Sequence, residues 1–258
     1  MLLTIDVGNT NTVFAVYKER ELIGSWRCQT VSARSADEYA AFLKELFLLS
    51  GLQFTHMQDV IIGSVVPEAN FHLIAFCRKY TKLEPVFVTN EIVGLDIDLD
   101  NPAEIGADRL VNAVAVLAHH QVPAIVIDFG TATTFDVIDE KGRYCGGVIA
   151  PGINLSVEAL HQASAKLPRV NVQKPKAAIG KNTIEAMQSG MYWGYISLIE
   201  GLVEKISQEL GEKPFVLATG GLAALYAQTT DVIQQVDDEL TLKGLLEIHL
   251  KSQKRKAA

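Results

Sequence analysis

Two short stretches hold the residue types that phosphate chemistry needs: TIDVGNTNT at 4–12 and VIDFGTATT at 126–134. Each reads apolar residues, Asp, one apolar residue, Gly, then small polar residues. Gly8 and Gly130 have no Cβ, so an anion can approach the backbone N–H groups of the turn. Asn9, Thr10, Asn11 and Thr12 add side-chain donors to the first turn, and Thr131, Thr133 and Thr134 to the second. Asp6 and Asp128 place a carboxylate at the end of each preceding strand. A carboxylate repels phosphate unless a cation lies between them, so the pair implies a metal-loaded polyphosphate. One such turn alone reads as readily as a tight turn with a capping Asp. Two copies, with Asp128 following Asp6 by 122 positions, favour the shared chemical role. A third glycine turn, ATGGLAA at 218–224, has Gly220 and Gly221 where an adenosine would lie flat on the backbone. A plain strand-to-helix turn is the alternative there.

The elements around these turns repeat as well. After each Asp-x-Gly turn come two apolar runs with a polar break, at Lys18-Glu19-Arg20 and at Glu140-Lys141-Gly142. Both read as β-hairpins. Ser35 and Glu38 form a capping-box pattern that opens a helix ending near Gly51. Pro67 opens the next helix, to about Tyr80. DVIIGSVV and PVFV are short buried-strand candidates. The segment GADRLVNAVAVLAHH is a helix with Leu110, Val114 and Leu117 on one face. Helices are also expected over 182–210 and 239–254, with the strand FVLATGG between them. The expectation is two α/β lobes, 1–117 and 118–258, with equivalent turns facing one cleft.

Bulk composition narrows the function. The chain has 258 residues, 48% hydrophobic and 21% charged, with net charge −7. That is globular composition. The only basic run is the terminal KSQKRK, which argues against a nucleic-acid partner. Cys28, Cys77 and Cys145 show no C-x-x-C spacing, so they suit a reducing compartment and not a zinc site. There is no signal-peptide pattern at the start, nor any apolar run long enough to span a membrane. A cytoplasmic protein is expected. His119 and His120 point about 100° apart on a helix, so they read as helix-end cations and not as a metal pair.

There is no G-x-x-x-x-G-K-[ST] and no G-x-G-x-x-G after a strand, which excludes a P-loop and a dinucleotide fold. The pattern instead resembles the superfamily of acetate and sugar kinases, heat-shock ATPases and actin. Its members have two ribonuclease-H-like lobes with a nucleotide cleft between them. Within it the chain resembles type III pantothenate kinases, through DVGNTNT (6–12), NPAEIGADRLVNA (101–113), IDFGTATTFDVI (127–138), GGVIAPG (146–152), KLPRV (166–170), IGKNT (179–183) and SGMYWGY (189–195).

The resemblance implies ATP-dependent phosphorylation of pantothenate to 4′-phosphopantothenate, the first step of coenzyme A synthesis. It implies ATP-phosphate contacts from Asp6, Val7, Gly8, Asn9, Thr10, Asn11, Thr12 and Val13, with Asp6 near Mg²⁺. Asp128 resembles a ligand for a monovalent cation, K⁺ or NH₄⁺, and Thr131 an ATP contact. Gly106, Ala107, Asp108 and Arg109 resemble the pantothenate segment, with Asp108 as general base, and Thr183 a further pantothenate contact. Chemistry agrees on Asp108: transfer to an alcohol needs a proton acceptor, and the start of a helix favours a carboxylate. Helix capping and an ion pair with Arg109 form the alternative. Leu99 stands where relatives tend to carry Tyr before Asn101-Pro102. Gly190, Gly194 and Gly201 suit close helix packing, within the monomer or across a dimer, and the family implies a homodimer. A nucleotide-dependent transcription factor and an exopolyphosphatase are the rival classes. The intact GADR and the acidic charge weigh against both.

Overall fold

The computed structural model describes the backbone of residues 1–257 and the side chains through Arg255. The chain forms two compact units: Met1–Leu95, Asp100–His120 and Leu240–Ala258 in the first, Asp96–Leu99 and Gln121–Glu239 in the second.

In the first unit, β1 (Leu2–Val7) is a nearly all-buried apolar strand, as a central strand must be. It runs antiparallel to β2 (Asn11–Lys18), which pairs with β3 (Glu21–Gln29) through the predicted hairpin. On its other side β1 pairs in parallel with β4 (Asp59–Ser64), which pairs with β5 (Val86–Phe87). The sheet order is β3-β2-β1-β4-β5. Helix α1 (Ala36–Leu49) opens with the expected capping box, Ser35 Oγ accepting from the Glu38 N–H at 3.3 Å. Gly51 follows it at φ +68, a backbone that favours glycine. Helix α2 (Pro67–Phe76) begins on its proline and runs into a wide turn through Thr81. Phe14, Tyr39, Leu43, Phe47 and Phe76 fill the space between sheet and helices. Each such side chain contributes about 1.5–3 kcal/mol by leaving water. Burial pushes the Cys77 thiol in this core up to about 12, which suits a packing residue and not a nucleophile.

Helix α3 (Asn90–Val93) is one turn long and leads toward α4 (Ala107–His119). The second unit then repeats the first. Strands β6 (Ala124–Phe129), β7 (Ala132–Ile138) and β8 (Tyr144–Pro151) form an antiparallel meander. Helices α5 (Ile153–Ala163) and α6 (Thr183–Leu210) precede β9 (Phe215–Gly220), which is parallel to β6. After α7 (Ala223–Ala227) comes β10 (Gln235–Val236), parallel to β9. The order β10-β9-β6-β7-β8 is the first sheet's order again, so each unit is a ribonuclease-H-like α/β layer. Phe129, Phe135, Tyr192, Ile199 and Tyr226 form its core.

The last helix, α8 (Leu240–Ala257), does not stay with the unit that precedes it in sequence. The sequence pattern predicts a second lobe over 118–258; the contacts instead seat α8 in the first unit, against α4. Gly244 explains the seating: a Cβ there would overlap the Val111 carbonyl of α4. The Thr241 hydroxyl donates to Asn112 at 2.9 Å, and Glu247 is paired with both Arg20 and His119. His119 thus meets a carboxylate of the first unit. Among the described residues no helix is long and apolar enough to cross a membrane.

Candidate active site

Both Asp-x-Gly turns are built the same way. Asp6, next to last in β1, is half-buried and paired with Val13 on β2 and Gly63 on β4. The Gly8 N–H donates to the Asn11 carbonyl at 3.0 Å and closes the turn. Val7 and Thr12 are buried on either side, Val13 is half-buried, and Asn9, Thr10 and Asn11 are exposed. In the second unit the Gly130 N–H donates to the Ala132 carbonyl at 3.0 Å. Gly130 and Thr131 are exposed there. The second turn is one residue tighter, since Val7 pairs with Thr12 while Phe129 pairs with Thr133.

The residue that follows each meander staples its turn from the far side. Thr30 donates its N–H to the Thr10 carbonyl at 2.9 Å, and Gly152 donates to the Thr131 carbonyl at 3.1 Å. These two residues are again 122 positions apart. Neither staple is legible in the sequence, because each joins residues about 20 positions apart. At 152 the chain must be bare, because a Cβ would overlap the Thr131 carbonyl. The start of α5 is held in turn by Tyr195, whose hydroxyl donates to the Pro151 carbonyl at 2.9 Å and meets Ser156 Oγ at 2.6 Å.

Gly8 and Gly130 differ from Gly152. None of the three has a positive φ, but a Cβ at Gly8 or Gly130 would come no closer than 3.3 Å and 3.4 Å to any atom beyond its chain neighbours. At these two places the nearest carbonyl would have to give by no more than a few tenths of an ångström to admit a Cβ. Gly220 is demanded: it ends β9 at φ +91, and a Cβ would lie 2.8 Å from Asp128 Oδ1. Gly221, beside it, faces open space. Asp128 pairs across the sheet with Thr134 on one side and Thr219 on the other. Directly paired residues share a face, so a carboxylate and two hydroxyls form one polar row. The corresponding row in the first unit is Val13, Asp6 and Gly63.

The segment Gly106–Arg109 joins the first turn within its own unit. Gly106 caps α4 and Ala107, Asp108 and Arg109 make its first turn. Asp108 Oδ1 accepts from the Arg109 N–H at 2.8 Å, and a Cβ at 106 would sit 2.6 Å from that same oxygen. Gly106 thereby leaves the carboxylate its place. Gly106 also lies against Val65, whose N–H donates to the Val7 carbonyl at 3.0 Å. Asp108 is therefore two residues' packing away from the first Asp-x-Gly turn. Thr183 begins α6, exposed, after the cap Asn182.

Leu99 belongs to a short strap, Asp96–Leu99, on the second unit's edge strand. The Tyr144 N–H donates to the Asp96 carbonyl at 2.8 Å, its carbonyl accepts from the Asp98 N–H at 2.9 Å, and Leu99 packs over bare Gly146. Arg143 grips the strap through Asp98 at 2.9 Å and also binds Asp139. Burial would push the Asp139 carboxyl up, but hydrogen bonds from Arg143 outweigh it and hold the group below the usual range.

A family model for type III pantothenate kinase matches residues 2–205. A type III pantothenate kinase of Paramagnetospirillum magneticum is 57% identical over 251 residues, covering 96% of each chain. The chain belongs to the type III pantothenate kinase family. Solved structures agree on the fold of this family member. A Campylobacter jejuni protein described as a Baf family transcriptional activator has TM-score 0.63 at 21% identity, covering 98% of this chain and 99% of its own. A ROK hexokinase of Thermus thermophilus has TM-score 0.50 at 12% identity, with 98% and 99% coverage.

The glycines make a stability prediction for this kinase-family chain. Gly8→Ala and Gly130→Ala should each stay within about 1 kcal/mol of the parent, while Gly152→Ala should cost about 1–3 kcal/mol from overlap. Denaturant midpoints check this; equal loss at all three sites would make the turn glycines a packing requirement.

Proposed function

We propose that this family member transfers the γ-phosphoryl group of ATP to the primary hydroxyl of pantothenate, giving 4′-phosphopantothenate for coenzyme A synthesis. The observation that carries the reading is the packing route from Asp108 through Gly106 and Val65 to Val7, which links an acceptor-side carboxylate to a phosphate turn. Residues 6–13 cradle the ATP phosphates with exposed N–H, amide and hydroxyl donors. Thr131 contacts the nucleotide from the second turn, and open Gly221 beside Gly220 offers the surface for adenosine. Gly106, Ala107, Arg109 and Thr183 hold pantothenate, with the Arg109 guanidinium suited to its carboxylate.

Asp108 takes the hydroxyl proton. A weak base suffices, because a loose transition state releases that proton late. Mg²⁺ bound with ATP neutralises phosphate charge. Asp6 suits it, since Mg²⁺ commonly uses one or two carboxylates along with phosphates and water. The row of Asp128, Thr134 and Thr219 supplies oxygen donors and one negative charge, a set suited to K⁺ or NH₄⁺. Closure over the substrates would keep water from the γ-phosphate.

A homodimer is part of the same reading. A Cβ at Gly190, Gly194 or Gly201 would meet open space, so these glycines do not serve packing in the monomer. Ile149, Leu155, Ile179 and Ile184 are exposed apolar residues of the same unit.

ADP release should depend on added pantothenate, and Asp108→Asn should lower turnover by roughly 10²-fold or more with ATP binding retained. Release without acceptor would instead favour a hydrolase, and near-parent turnover of the variant would make Asp108 structural. Rates should rise when K⁺ or NH₄⁺ replaces Na⁺; equal rates in all three salts remove the cation from Asp128. Sedimentation velocity at micromolar concentration should give twice the chain mass, and a monomer would end the dimer reading.

A further inference from the structure

Thr30 makes three hydrogen bonds to the first phosphate turn, each to a different residue. Its N–H donates to the Thr10 carbonyl at 2.9 Å, its hydroxyl donates to the Gly8 carbonyl at 2.7 Å, and the same oxygen lies 2.9 Å from Thr12 Oγ1. One side chain, 22 positions from Gly8, thus spans residues 8 to 12. We propose that Thr30 is a positioning residue for nucleotide binding: its hydroxyl fixes the orientation of the peptides in the first phosphate turn. The proposal rests on the reading of residues 6–13 as the ATP-phosphate turn.

The second unit shows that the fold does not need this hydroxyl to make the turn. Gly152 stands in the place of Thr30 and donates the same backbone hydrogen bond, yet it has no side chain. Thr133, which matches Thr12 in register, keeps a buried hydroxyl with no hydrogen-bond partner. The backbone staple is common to both turns; the Thr30 hydroxyl is an addition to one of them. Turning a peptide rotates its N–H out of line with an anion, and hydrogen bonds weaken steeply with angle. By accepting from Thr30, the Gly8 carbonyl is held, and with it the N–H of Asn9 on the same peptide plane.

The test compares Thr30→Val, Thr30→Ala and Thr30→Ser with Gly8→Val as a probe of the turn itself. Affinity for ADP is read by calorimetry, with KM for ATP and for pantothenate, kcat and melting temperature beside it. Loss of the hydroxyl should weaken nucleotide affinity roughly tenfold in Val and Ala, the scale of one or two hydrogen bonds. The pantothenate KM should hold within about twofold, and Ser, which restores the hydroxyl, should recover most of the nucleotide affinity. If Gly8→Val weakens ADP binding while Thr30→Val and Thr30→Ala bind as the parent does, the bracing role is overturned. Equal weakening in Ser and Val also overturns it, since the hydroxyl is then not the cause. If Gly8→Val too binds ADP at parent affinity, the phosphate-turn reading itself fails, and the proposal falls with it. Should Thr30→Val melt too low to assay, the Ala and Ser pair carries the same decision.

Discussion

The hydrogen bond from the end of each meander back to its Asp-x-Gly turn is the constraint on which the site depends. Thr30 to Thr10 and Gly152 to Thr131 pin loops that their sequences alone would leave open. A strand–turn–strand loop of small polar residues has little apolar contact to order it, and its conformational entropy opposes a fixed shape. Pinning the loop at both ends and at its middle carbonyl limits the shapes it can take. Its peptide groups then have directions set in advance, and such preorganisation is how a binding loop in general gains affinity without added contacts.

The two units reach this end by different means. In the first, a hydroxyl does the bracing; in the second, a bare glycine lets a helix start against the turn, and Tyr195 holds that helix. Their central carboxylates differ as well. Asp6 has Val13 and Gly63 as cross-strand neighbours, whereas Asp128 sits between two threonines. A duplicated framework has thus been given two electrostatic settings. Repetition of backbone geometry with divergence of side chains is what functional sites grafted on a common fold display.

Helix α4 adds a second kind of constraint. Its apolar face lies against α8, with Gly244 in contact with the Val111 carbonyl, and its N-terminus lies near the first Asp-x-Gly turn. Close backbone contact leaves little slack, because packed interiors respond to even one methylene. The start of α8 therefore helps to hold the middle of α4, one turn beyond Asp108.

The repeated turn, the hairpins and the capped helices were legible in the sequence, because each depends on neighbours within a few residues: Gly for an approachable backbone, Ser35 and Glu38 for a cap, alternation for strands. The family was legible for the same reason, since its motifs are short and local. Thr30 was not, because its role depends on a strand register that carries an irregularity between Val16 and Tyr17. The strap at 96–99 and the seat of α8 were hidden likewise. An apolar helix face shows that it will be buried but not against what. Local patterns in the sequence determined which elements form and which residues could meet phosphate. The tertiary structure decided which distant residue braces which turn, because only packing brings positions 22 or 129 apart into hydrogen-bond range.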